Sequence, residues 1–214
     1  MIHVKSRGYA LDMAMRPYTT TRRRESVETV ERVLDAAERL IREGSFHAAT
    51  MDELAAAAGV SRATVFNRFG SKLGVLQALF RRGMEGPEMA AIQAALELED
   101  PVAALEAVIG AACTIWEAYG FVHLQLQAVR VLEPRATALI DEQREQQRIE
   151  LQGLTRRLAR AGKLRPGLSQ ARATATLHAL TSLESFLWLR QAYGLSLRQT
   201  RETIAELART LLRT

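Results

Sequence analysis

Apolar residues recur along the chain at the three- and four-residue spacing of amphipathic α-helices. Between residues 24 and 43 this spacing predicts a first helix, which ends at Gly44. The five prolines all fall between or at the starts of apolar segments. Together with candidate caps they predict later helices over 71–83, 100–119, 120–133, 134–161, 169–193 and 196 to near the end. No stretch alternates with period two for long enough to form a strand. The pattern therefore predicts an all-α protein of about nine helices.

Two further short helices, joined by a tight turn, are predicted within residues 50–70. Thr50 and Glu53 have the spacing of a capping box, which opens the first of them. Gly59 supplies the left-handed turn, and Ser61 caps a second helix of about two turns. This arrangement is a helix-turn-helix, whose second helix enters the major groove of DNA.

The charge distribution supports a DNA-binding N-terminal part. The chain carries a net charge of +5, and residues 1–84 hold 14 Lys and Arg against 9 Asp and Glu. The remaining residues hold 15 of each, so the whole basic excess lies beside the motif. A solvated basic face would be the simpler interpretation of the charge alone. We predict a basic arm over 1–23, a DNA-binding domain over 24–84 and a helical effector-binding and dimerisation domain over 85–214.

At these residues the chain resembles the TetR/AcrR family of bacterial transcriptional regulators. The resemblance is carried by Ala57-Ala58-Gly59-Val60-Ser61, Thr64-Val65-Phe66, Phe69, Ser71-Lys72 and Leu76. It implies a three-helix DNA-binding domain and a helical domain that dimerises through a four-helix bundle of the last two helices. The chain departs from the family at Ala63, which is often glycine, and at Phe66, which is usually tyrosine. Phe66 cannot offer a hydroxyl group to a DNA phosphate.

Six residues in and around the motif are candidate DNA contacts: Thr50, Arg62, Thr64, Asn67, Arg68 and Lys72. At the start of a recognition helix, arginine can pair bidentately with guanine, and threonine can meet a thymine methyl group or a phosphate. Lys72 would add its ammonium group to a phosphate site at the next helix. For Thr50, Ser61 and Ser71, simple helix capping is at least as good an interpretation. The run from Arg22 to Arg24 could follow the DNA backbone or enter the minor groove, or could be merely solvated.

Five aromatic or polar residues of the later helices are candidates for an effector pocket: Trp116, Tyr119, Phe121, His123 and Trp188. Each could instead belong to an ordinary core. The family resemblance implies that an effector favours a geometry in which the two DNA-binding heads no longer match the operator. The polar run DEQREQQRIE within 134–161 is assigned to the solvent side of its helix.

The helix predicted over 169–193 has apolar residues on two faces, so it needs two partners. With the last helix it supplies the predicted dimer interface: Leu177, Leu180, Leu187, Ile204 and Leu211. A helix buried on both sides within one chain is the alternative. A dimer would present two recognition helices to half-sites about 34–36 Å apart, or a multiple of that spacing.

Other functional classes find little support in the sequence. Its 4 histidines are scattered and its single cysteine, Cys113, has no partner, so we predict no catalytic residue, metal or cofactor. The absence of an 18-residue apolar run and of a signal peptide predicts no membrane contact and a cytoplasmic location. We predict a homodimeric DNA-binding regulator, a repressor released from double-stranded operator DNA by a small molecule. The alternatives are an architectural DNA-coating protein and a helical ligand-binding module that no longer binds DNA.

Overall fold

A computed structural model describes residues 16–131 and 133–213, with side chains from residue 24 onward. Ten α-helices and one π-helical turn occupy these ranges. They are α1 (Arg16–Arg42), α2 (Met51–Ala58), α3 (Arg62–Phe69), α4 (Lys72–Met84), α5 (Pro87–Glu97), α6 (Pro101–Val129), α7 (Pro134–Arg160), α8 (Gln170–Leu180), α9 (Leu183–Leu187), the π-helical turn Trp188–Ala192 and α10 (Leu197–Arg209). The described part contains no β-strand, only an isolated bridge between Leu164 and Leu212. The all-α prediction is confirmed.

The first four helices agree closely with the sequence-based expectation, except at the start of α1. That helix begins at Arg16 rather than at Arg24, so the backbone of residues 16–23 is helical where an arm was predicted. Residues 1–15 of the arm lie outside the described residues. The Thr50 capping box is present, and Gly59 has the left-handed backbone, with φ of 64°, that ends α2.

Helix α5 was not predicted from the sequence. It begins with Pro87 directly after Gly86, and no side chain caps its first turn. Only Ala95 is buried, so the helix carries a weak apolar stripe and depends on its packing against α6. Local signals were therefore too weak to mark it.

Helix α6 is one continuous helix, so the predicted division at Gly120 is wrong. Gly120 lies buried inside it, and a Cβ atom at this position would come within 2.9 Å of the Leu183 side chain. The glycine is thus explained by close packing and not by a turn. By length and composition α6 would also suit a membrane span, although 44% of its apolar window is buried inside the protein. It lies at the centre of the fold, in contact with α1, α4, α5, α7, α9 and α10.

The single helix predicted over 169–193 is divided into α8, α9 and the π-helical turn. The division falls at Thr181, whose hydroxyl group donates to the Leu177 carbonyl at 2.8 Å. Ser182 then caps α9 by accepting from the Ser185 amide at 3.2 Å. Hydroxyl side chains that compete for backbone hydrogen bonds explain why a continuous apolar pattern does not give a continuous helix.

Two apolar cores hold the helices together. The first joins α1–α4 to Val122 and Leu126 of α6 and to Ala136 and Ile140 of α7. The second lies among α5–α10. Because the first core includes residues from both sides of position 84, the proposed division into domains remains a prediction.

The second core corrects the predicted dimer interface. Leu177, Ile204 and Leu211 are at most 4% exposed and pack within this chain, so they cannot also contact a second subunit. Their apolar stripe packs into the internal core, in agreement with the alternative of a helix buried on both sides within one chain. Leu180 and Leu187 are only half-buried and stay available for an interface.

Candidate nucleic-acid interface and ligand cavity

Helix α3 presents a polar face to solvent and an apolar face to the first core. Val65 is fully buried, and Phe69 is half-buried beside it. Arg62, Asn67 and Arg68 are exposed. A helix held on one side by apolar contacts and open on the other is suited to the major groove.

The joint between α3 and α4 is unusually tight. A Cβ atom at Gly74 would lie 1.8 Å from the Phe69 carbonyl oxygen, so only glycine fits where α4 passes the end of α3. The Ser71 hydroxyl accepts from the Gly74 amide at 3.1 Å. These contacts fix the direction of the recognition helix against α4.

Three of the predicted DNA contacts have side chains already engaged within the chain. The Thr50 hydroxyl lies 3.0 Å from the Glu53 carboxylate and caps α2. The Thr64 hydroxyl lies 2.8 Å from that of Ser61. The Lys72 ammonium donates to the His47 carbonyl at 2.8 Å. Partial burial lowers the pKa of Lys72, opposed by the charge of Glu53. Capping thus accounts for the threonines, and Lys72 keeps two of its three N–H donors for other partners.

The other three predicted contacts have exposed side chains. Arg62 lies 3.5 Å from Asp52, but both side chains are more than 60% exposed, so the pair is weak. Asn67 and Arg68 are exposed. Phe66 is 59% exposed on the same helix, which places a large apolar ring in solvent beside the polar residues. The side chains of Arg22 and Arg23 lie outside the described residues.

A cavity opens between α4, α5, α6 and α7. It encloses about 820 Å³ not filled by atoms, its mouth to solvent included. Three of the predicted pocket residues, Trp116, Tyr119 and His123, line it. The rest of the wall is largely apolar, with Phe80, Met84, Met89, Ile92, Leu96, Val108, Ala112, Ile115, Val122 and Leu151.

Two of the predicted pocket residues are placed elsewhere. The Arg42 guanidinium group lies over the Phe121 ring, with its Cζ atom 4.0 Å from the ring centroid. Trp188 is 63% exposed in the π-helical turn, edge-on to Tyr193. Their helices turn them away from the cavity, so the prediction that they line it is wrong.

One face of α7 lines the cavity and was missed by sequence reasoning. Gln143, Gln146, Gln147 and Glu150 follow the i, i+3, i+4, i+7 spacing of a single helix face. They belong to the polar run that was assigned to solvent. The available signal was chemical, since amides fill three of these four positions while the other polar residues of the run are charged.

His123 is a buried, uncharged group of the cavity wall. Burial, helped by the charge of Arg144 and opposed by that of Glu184, lowers its pKa to about 4. Its ring contacts those of Phe80 and Trp116, with centroids 5.8 Å and 5.3 Å away. At neutral pH the imidazole therefore offers hydrogen bonds but no positive charge.

Helix α4 connects the DNA-binding face to the cavity. Its first residue, Lys72, follows the recognition helix, and near its other end Phe80, Gly83 and Met84 line the cavity. A Cβ atom at Gly83 would lie 2.8 Å from the Tyr119 ring, so the two helices touch without a spacer. A displacement of Tyr119 would therefore act directly on α4.

The described residues offer little for catalysis. Burial raises the pKa of the Cys113 thiol to about 11, against the charge of Arg201, so the thiol stays protonated and is a poor nucleophile. Within the described residues, no group of three or more His, Cys, Asp or Glu side chains could hold a metal ion.

Comparison with known proteins agrees with this geometry. The model of bacterial regulatory proteins of the tetR family matches residues 33–79, which include the helix-turn-helix. No curated protein sequence matches the chain. Three solved structures illustrate the similarity of the whole fold. The regulator PfmR from Thermus thermophilus is 23% identical, covering 85% of this chain and 99% of its own, with a TM-score of 0.69.

The other two are similarly distant in sequence. The fatty acid degradation regulator FadR from Bacillus halodurans is 22% identical over 86% of this chain and 99% of its own, with a TM-score of 0.67. A TetR regulator from Haloarcula marismortui is 18% identical over 87% of this chain and 100% of its own, with a TM-score of 0.72. The helix-turn-helix part of this chain therefore matches the tetR family of bacterial regulatory proteins, and its described residues have the fold of TetR-family regulators.

Proposed function

We propose that the chain is a homodimeric repressor, released from its operator when a small molecule binds the cavity between α4 and α7. The observation that carries this proposal is the course of α4, which touches the recognition helix at Gly74 and the cavity wall at Gly83. A ligand in the cavity can therefore act on the DNA-binding face through α4.

The mechanism is a population shift. A ligand that packs against Tyr119 and Met84 favours one position of α4 over another. In a dimer this changes the distance between two recognition helices, and DNA tolerates only the spacing of its half-sites. The change in operator affinity can be no larger than the ratio of the ligand's affinities for the two positions of α4.

The second copy would be held by surfaces that this chain leaves uncovered. Leu180 and Leu187 are half-buried, and Trp188, Tyr193 and Leu207 are large apolar residues with 48–66% exposure. They belong to the C-terminal part of the chain. The family resemblance implies that the dimer forms there. We assign the interface to these residues in place of the three buried leucine and isoleucine side chains.

The decisive experiment measures binding of the purified protein to the intergenic DNA upstream of its own gene and to a scrambled duplex of equal length, at two salt concentrations. Tight binding to the first alone, weaker at higher salt, is expected because base contacts specify and phosphate contacts carry the salt dependence. Equal binding to both duplexes would favour the architectural protein. An absence of binding to either would favour the ligand-binding module.

A further inference from the structure

The cavity wall carries negative charge and no positive charge. None of its lining residues, all within the described ranges, is a lysine or arginine, and its only carboxylate is that of Glu150. The remaining polar groups are the amides of α7, the hydroxyl groups of Tyr119 and Thr181, His123, and the indole N–H of Trp116, which donates to the Thr181 carbonyl. The wall itself therefore provides no cation to receive an acid group.

The arginines close to the cavity are already neutralised. Arg82 of α4 reaches Asp35 at 2.6 Å, Glu38 at 2.7 Å and Glu31 at 3.2 Å. Arg144 of α7, whose charge helps to lower the pKa of His123, pairs with Glu184 at 3.1 Å. Their fields inside the cavity are largely cancelled by these partners.

A third arginine, Arg157, approaches the end of α5. It donates to the Leu96 carbonyl at 2.5 Å and to the Glu99 carbonyl at 3.0 Å. Arg157 therefore supplies hydrogen-bond donors to backbone carbonyl groups at the end of α5, which have no partner within the helix. Its guanidinium group is not offered to the cavity.

Glu150, in contrast, keeps its charge uncompensated. One of its carboxylate oxygens accepts from the side-chain amides of Gln93 at 2.9 Å and Gln146 at 2.8 Å. Within the described chain no lysine or arginine nitrogen lies within 4 Å of it, since it forms none of the ion pairs found there. Two neutral amides orient the carboxylate and leave its negative charge available to a ligand.

A second carboxylate adds to the same field. Glu88 lies at the start of α5. Burial raises the pKa of the Tyr119 phenol, and the charge of Glu88 raises it further. One Glu88 oxygen is buried and has no hydrogen-bond partner among the described residues. A buried oxygen without a donor stabilises a positive charge nearby.

From this arrangement we infer that the cavity binds a mainly apolar molecule carrying one cationic amine, with the amine at Glu150 and the apolar body against α4, α5 and α6. The inference deepens the proposed function, on which it rests for the regulatory meaning of the site. Apolar burial supplies most of the affinity, and the carboxylate selects the charge of the headgroup.

A matched ligand series tests the charge preference with the full-length protein and without DNA. Decylamine, decanol and decanoate share one apolar chain and differ in headgroup charge. Isothermal titration calorimetry should give decylamine about tenfold tighter binding than decanol, with decanoate weakest, as expected for one half-buried charge pair. Glu150→Gln should bring decylamine to within about twofold of decanol.

Glu142→Gln is the matched control, because Glu142 lies exposed on α7 outside the cavity. It should keep the preference for decylamine. Tightest binding of decanoate, an unchanged preference in Glu150→Gln, or no binding of any of the three compounds would each overturn the inference. Operator binding by the free protein does not depend on these results. If decylamine binds as expected but DNA is never bound, the proposed function fails and the ligand assignment stands.

Discussion

The two ends of α4 belong to regions built in opposite ways. Around the recognition helix, three successive helices are capped by the side chains of Thr50, Ser61 and Ser71, and α4 packs at Gly74 directly against the backbone at the end of α3. Around the cavity, α5 and α7 begin without side-chain caps, and the space between the four helices opens to solvent. The first region therefore holds one shape, whereas the second has room to change shape around a ligand.

The largest expected effect comes from replacing glycine by alanine in each of the two regions. Gly74→Ala should destabilise the protein by about 3 kcal/mol or more, because its Cβ atom would lie 1.8 Å from the Phe69 carbonyl oxygen, which cannot move alone. Gly153→Ala should stabilise it by about 0.5–1 kcal/mol, because a Cβ atom there meets nothing within 4 Å and alanine favours a helix. Urea unfolding followed by circular dichroism measures both.

A stable Gly74→Ala variant would contradict the tight joint between α3 and α4. If instead both variants lose stability, α7 would be as closely packed as the recognition region, and the contrast would fail. Operator binding by Gly74→Ala at low temperature, where the variant still folds, further separates stability from the direction of α3.

The same contrast explains which elements could be predicted from the sequence. The caps and turns of α2–α4 are encoded by neighbouring residues, so the sequence pattern located them to within a residue or two. The continuity of α6 depends on Leu183, distant in sequence, which packs where Gly120 has no side chain. A local pattern contains no information about such a partner. The same limit hid α5, which its contacts with α6 stabilise.

The candidate sites divide along the same line. Exposed recognition-helix residues such as Asn67 follow directly from helix position. The cavity requires four helices, and only three of its five predicted residues line it. Amphipathic patterns identify the apolar side of a helix as its interior side, so Gln143 and Gln147 were assigned to solvent. The part of the cavity wall that α7 supplies is polar, in contrast to the largely apolar remainder. Burial of a polar helix face becomes visible only after the helices are packed.

The second prediction concerns pH and the cavity wall. The folded-state pKa of His123, about 4, lies below its ordinary value of 6.5, so folding favours the neutral imidazole. Its contribution to stability is complete above pH 6.5 and is lost as the pH falls towards 4. The loss should reach about 3 kcal/mol. It is measured as the free energy of unfolding of the wild type minus that of His123→Gln across this range.

Taking the difference removes the titration of carboxylates, which both proteins share. His47→Gln is the control, since His47 is exposed at the protein surface. It should leave the pH dependence of the wild type unchanged. A difference between wild type and His123→Gln that stays constant from pH 7 to 4 would show that His123 reaches solvent, and the cavity wall would then be looser than the contacts with Phe80 and Trp116 indicate.

A third prediction separates two cations of the recognition region. Arg62→Ala should cost about 1–3 kcal/mol of discrimination between operator variants, because an exposed arginine at the start of α3 can contact base edges. Lys72→Ala should weaken all sequences alike and reduce the salt slope by about one unit. Lys72→Ala should also lower the stability of the fold slightly, because the hydrogen bond from the Lys72 ammonium group to the His47 carbonyl is lost. Fluorescence anisotropy at several salt concentrations distinguishes the two, and identical profiles would contradict their separate roles.

The smallest effect should come from restoring one hydroxyl group. Phe66 is 59% exposed on α3, at the position where the family that the sequence resembles usually has tyrosine. Because the recognition region holds one shape, Phe66→Tyr should add a phosphate hydrogen bond without rearrangement and tighten DNA binding by about 1 kcal/mol, roughly fivefold. The gain should be equal for specific and scrambled duplexes, since a phosphate carries no sequence. Phe66→Leu, which is apolar and has no hydroxyl group, should show no gain. If Phe66→Tyr binds no more tightly than the wild type, the ring does not point at a phosphate, and α3 enters the groove at an angle that makes an apolar residue the fitting one.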